Sequence, residues 1–89
     1  MTKAEARALL VQELAPYLTL PFDQLLPLLT EKRMLEGEGY SGTIYAIWDD
    51  HDQHRLRLWA ELSYNFWTSF VPVVEDELVD NPAFAGKVA

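Results

Sequence analysis

No cysteine occurs among the 89 residues, which excludes a disulfide framework, a thiolate nucleophile and any cysteine-based zinc site. The chain has to be held by packing alone, and a reducing compartment suits it. Bases are scarce: seven against fourteen acids, for a net charge of −7. That balance repels phosphate backbones and anionic lipid surfaces at long range, so neither nucleic acid nor membrane is an expected partner. No stretch approaches the roughly 18 apolar residues that a membrane-spanning helix needs. The opening Met1-Thr2-Lys3-Ala4-Glu5-Ala6-Arg7 puts a glutamate where a secretory signal keeps a cationic region. Together these absences predict a cytoplasmic protein.

What is present is enough to close one core. Hydrophobic residues make up 49% of the chain, including three Trp, four Tyr and four Phe, which predicts a single domain over residues 1–81 and a short tail over 82–89. Thr2-Lys3-Ala4-Glu5 has capping-box spacing and should open a helix. Ala6, Leu10, Leu14 and Leu18, with Leu9 and Val11, form its apolar stripe, and Pro16 should end or kink it near Leu14. A second helix is predicted within Thr19–Met34, from a cap at Asp23 with Pro27 in its first turn to Lys32 and Arg33 at its C-terminus.

Arg55 to Tyr64 places an apolar residue at every even position, the period of a half-buried strand. Thr43-Ile44-Tyr45-Ala46-Ile47-Trp48 is its hairpin partner, but both of its faces are apolar, so the inner face and the register stay open. Phe66 to Asp80 reads as a third helix, because a strand would place Pro72 in its interior. The expected fold is a small two-layer α+β domain of order α-α-β-β-α, with helices packed on one face of an antiparallel hairpin. A bare two-stranded sheet is marginal, which makes pairing through a strand edge, and hence a homodimer, an expectation.

Gly37-Glu38-Gly39-Tyr40-Ser41-Gly42 matches G-x-G-x-x-G by letter only. It follows a predicted helix and enters a predicted strand, the reverse of the order that aims helix N–H groups at a pyrophosphate, so it reads as a connection. The turn Asp49 to His54 gathers three carboxylates and two imidazoles, and Asp49, His51, Asp52 and His54 are the candidate ligands for a divalent metal. The spacing fits neither a calcium loop nor H-E-x-x-H, and a solvated turn explains the same residues.

Arg55, Arg57 and Trp59 recur at period two on the outer face of a strand, a composition enriched at interface hot spots. With Tyr45, and with Phe22 and Leu26 of an unusually apolar second helix, they are the candidate partner-binding residues. Glu75-Asp76-Glu77 and Asp80 load acid at the end of the third helix, an arrangement that the helix dipole disfavours and that a basic partner would relieve. Serines lack a nucleophile-elbow context. The sequence therefore points to a non-catalytic, acidic protein-interaction module such as a regulator, inhibitor or small subunit, with no cofactor required. A divalent-metal protein or hydrolase built on the Asp49–His54 turn is the alternative, and an acidic mimic of nucleic acid is a weaker third.

Overall fold

The computed structural model describes residues 1–84; of the expected tail, residues 85–89 lie outside the described residues. The chain forms a helix α1 (Lys3–Leu18), a short helix α2 (Phe22–Leu25) continuing into a 3-10 turn (Leu26–Leu29), and strands β1 (Arg33–Gly37), β2 (Tyr40–Trp48) and β3 (Arg55–Ser63). A five-residue helix α3 (Phe66–Phe70), strand β4 (Val73–Asp80) and a 3-10 turn (Pro82–Phe84) complete it. The four strands make one antiparallel sheet in the order β1-β2-β3-β4. The α+β class is as expected, but the sheet is twice as wide as the hairpin that the sequence pattern indicates.

The capping box at Thr2 forms as expected: Glu5 N–H donates to Thr2 Oγ1 at 3.1 Å and Thr2 N–H donates to Glu5 Oε1 at 2.9 Å. These bonds hold the Glu5 carboxyl below its ordinary value. The helix does not stop at Leu14. It runs to Leu18 with Pro16 inside its last turn, where Thr19 N–H and Oγ1 both return to the Pro16 carbonyl. The proline removes one helical bond near an end, while Leu14 and Tyr17 on the same turn pack against the core and hold the turn in place. Only Ala6, Leu10 and Leu14 are buried, so the stripe is narrower than the sequence suggests, and Val11 and Leu18 face solvent.

The second helix is cut short. Pro21, not Asp23, is its cap, and from Leu26 the Pro27 ring turns the path into a single 3-10 segment. Lys32 to Glu36 is not helical: Arg33–Gly37 pairs with Tyr40–Ile44 as strand β1. The Gly37–Gly42 segment is therefore a strand-to-strand hairpin rather than a helix-to-strand connection, with Gly39 at φ 81° in its two-residue turn. Gly42 is demanded by packing, since a Cβ there would run into the carbonyl oxygen of Glu61 on β3.

The third helix is corrected most. After five residues it gives way at Val71-Pro72 to β4, an edge strand that pairs with β3 from Arg55↔Asp80 to Leu62↔Val73. Pro72 thus precedes the strand instead of interrupting it, and the β-branched Val73 and Val74 open it. The acids Glu75, Asp76, Glu77 and Asp80 lie on that edge, not at a helix C-terminus.

The register left open by the sequence is resolved by size and branching. Ile44, Ala46 and Trp48 of β2 align with Ala60, Leu58 and Leu56 of β3. This face meets α1 and the 22–29 segment in one core with Leu10, Leu14, Leu25, Leu28, Leu62 and Val73. Small Ala46 and Ala60 alternate with larger neighbours, so the helices can approach; Tyr45 and Ile47 turn to the opposite face.

Candidate functional site

Three places on this fold present side chains with chemical potential, and β3 links them. At its start lies the Asp49–His54 turn. Asp50 organises it: one carboxylate oxygen accepts the backbone N–H groups of His54 at 2.9 Å and Arg55 at 3.2 Å, and the other lies 3.0 Å from His54 Nδ1. Gln53, at φ 60°, donates to the Asp50 carbonyl, and Asn81 ties the turn to the end of β4 through Gln53 O and His54 O, both at 2.8 Å. This is the local side-chain-to-backbone bonding that places Asp in turns.

Of the expected ligand set, the structure brings together only Asp52 and His54, with Asp50 as the third member; their ligand atoms lie within 4.8 Å of one another. His51 is exposed and outside that group, beside an open depression of about 320 Å³ lined by Trp48, Asp49, Asp50, His51 and Gln53. Asp49 is committed elsewhere, accepting from Arg57 Nη2 at 2.7 Å and Nε at 3.2 Å.

Along the middle of β3 runs the face opposite the core. Arg57 is held between Asp49 and Asp76, and the hydrogen bond to Asp49 leads the causes that raise its already high pKa. Arg55 pairs with Asp80 at 3.2 Å. Trp59 lies opposite Tyr45 with ring centroids 6.5 Å apart, and Lys32 Nζ sits 4.8 Å above the Tyr45 ring. Burial, and then the nearby Glu61 charge, push the Tyr45 phenol up. The Trp59 indole N–H is buried and has no acceptor among the described residues, although the ring is only half-buried.

Arg55, Arg57, Trp59 and Tyr45 thus share one face as the sequence pattern implies. Phe22 and Leu26 do not join them. Both lie half-buried in the helical layer across the sheet, where the Phe22 ring meets Trp48 at 6.1 Å.

The third place went unmarked as a site in the sequence. At the far end of β3, Asn65 opens α3: its Oδ1 accepts Thr68 N–H at 2.9 Å, and Thr68 Oγ1 accepts the N–H groups of Asn65 at 2.9 Å and Tyr64 at 2.8 Å. Ser63 Oγ donates to the Thr68 carbonyl at 2.9 Å, so this hydroxyl is spent on the turn. Ser63, Asn65 and Thr68 therefore anchor the backbone, and the rings project outward. Phe66, Trp67, Phe70 and Val71 are each between 66% and 77% exposed. The three rings pack edge-on, Phe66 against Trp67 at 5.5 Å and against Phe70 at 5.1 Å. The signal that could have located this knuckle is Asn65 with Thr68 three residues on, a capping pair with Val71-Pro72 three residues beyond it.

Compared with known proteins, the chain matches no family, no curated protein and no solved structure.

Proposed function

We propose that the chain is a non-catalytic protein-interaction module of the cytoplasm that inserts the Phe66-Trp67-Phe70-Val71 knuckle into an apolar pocket on a basic protein. The observation that carries this reading is the exposure of four large apolar side chains in one short segment whose backbone is hydrogen-bonded in place. Rigid exposed aromatics supply contact area at little cost in conformational freedom. Charge favours a basic partner: β4, which leaves the knuckle directly, carries Glu75, Asp76, Glu77 and Asp80, and the whole chain stands at −7.

A Trp67→Ser, Phe70→Ser double variant tests this. Its unfolding free energy should stay within about 0.5 kcal/mol of wild type, since the rings support no core. A basic protein captured by the wild type should be lost, with affinity lowered by about 2 kcal/mol or more. Equal capture by both proteins refutes the reading, and so does a large loss of stability, which would make the rings structural.

A second reading rests on the cluster of Asp50, Asp52 and His54 ligand atoms within 4.8 Å. It takes the turn as a weak site for zinc, nickel or manganese, with oxygen and imidazole donors. Calorimetry with each ion on the wild type and on a His51→Ala, His54→Ala variant decides it, and equal heats dismiss the site.

A further inference from the structure

Among the described residues neither β1 nor β4 pairs with a further strand, but only β1 is compatible with a copy of itself. On β4 an antiparallel copy would set Glu75, Asp76, Glu77 and Asp80 among like charges. The β1 edge is different in kind. It carries both signs, with Lys32 and Arg33 at one end and Glu36 at the other, and Met34 between them is 64% exposed. Among the described residues, the helical layer packs chiefly on β2, β3 and β4 rather than on β1.

We propose that β1 pairs antiparallel with β1 of a second copy about a two-fold axis at Met34, joining two four-stranded sheets into one. In this register Met34 faces its own counterpart, Arg33 faces Leu35 of the partner subunit, and Lys32 faces Glu36 of the partner subunit. Symmetry makes each of the last two contacts twice. Residues of equal parity stay on the same side of the joined sheet, so Lys32, Met34 and Glu36 extend the Tyr45–Trp59 face. Lys32 already lies on that face, above the Tyr45 ring. Centring the axis one residue on, at Leu35, sets Met34 against Glu36 and leaves the exposed methionine without an apolar counterpart. The dimer uses none of the knuckle residues, so it stands or falls separately from the proposed function.

The chain's lack of cysteine makes the test direct. Directly opposed Cα atoms in an antiparallel pair are about 4.5–5.5 Å apart, within disulfide reach. A Met34→Cys variant in oxidised glutathione should form a covalent dimer at least about tenfold faster than Leu78→Cys, an exposed position on the other edge strand. By light scattering over a dilution series, wild type should be a dimer. Lys32→Glu should raise its dissociation constant about tenfold or more, because two attractive cross-strand pairs become repulsive, and Lys32→Glu with Glu36→Lys should restore it. A wild type that stays monomeric, a dimer indifferent to Lys32→Glu, failure of the charge swap to restore pairing, or equal cross-linking at Leu78→Cys each overturns the proposal.

Discussion

The two ends of β3 answer the same physical demand in opposite ways. At the Asp49–His54 end the side chains are polar, and the turn satisfies them internally: Asp50 takes two backbone N–H groups and faces the His54 imidazole, Asn81 closes the loop to β4, and Asp49 is bound to Arg57. At the Asn65–Val71 end Asn65 and Thr68 are also bonded to the backbone, but four large apolar side chains are left in water. The placement of Asp49, Asp50 and His54 is thus explained by hydrogen bonds and ion pairs made within the turn and to Arg57. Apolar surface has no such local remedy, because only another surface removes it from water. Under the proposed function it is accordingly the aromatic turn, not the polar one, that meets a partner.

The largest effect expected from probing this contrast is at the polar end. Asp50→Ala removes the acceptor of two N–H groups and should cost about 2 kcal/mol in chemical denaturation. If it costs nothing, the turn does not depend on Asp50, and the metal reading gains ground.

At the other end, Asn65→Ala deletes the α3 cap and should cost about 1 kcal/mol. It should also loosen the knuckle, so that a partner binds the variant more weakly even though no ring has changed, and binding measured alongside stability separates the two losses. Smallest of all should be the effect of the Trp67→Ser, Phe70→Ser pair on stability, within about 0.5 kcal/mol. A fall as large as that of Asp50→Ala would erase the contrast, because the rings would then be holding the fold.

Much of the local structure was legible in the residues. The capping box at Thr2, the alternation from Arg55 to Ser63 and its pairing with Thr43–Trp48 need only neighbours in the chain, and all three are present. The errors share one cause. Arg33–Gly37 and Val73–Asp80 carry weak or mixed patterns, half-buried at most outside Val73, because they are edge strands with one side in water. An edge strand is stabilised chiefly by the ladder it joins, so its own composition need not declare it. Pro72 misled for a related reason: a proline forbidden inside a sheet is tolerated at the point where a strand begins.

The sequence by itself determined the α+β class, the single core, the acidic surface and the period-two burial of β3, since charge, capping and alternation are properties of residues close along the chain. Only the tertiary structure decided the rest. Widening the sheet to four strands turned two supposed helical segments into edges. Register sent Ile44, Ala46 and Trp48 inward and Tyr45 outward, because the small Ala46–Leu58 and Ile44–Ala60 pairs let the helical layer close. The exposure of the α3 rings was decided there too, since a side chain's contact with water depends on which distant surfaces reach it, and Phe66, Trp67 and Phe70 stay at least 66% exposed.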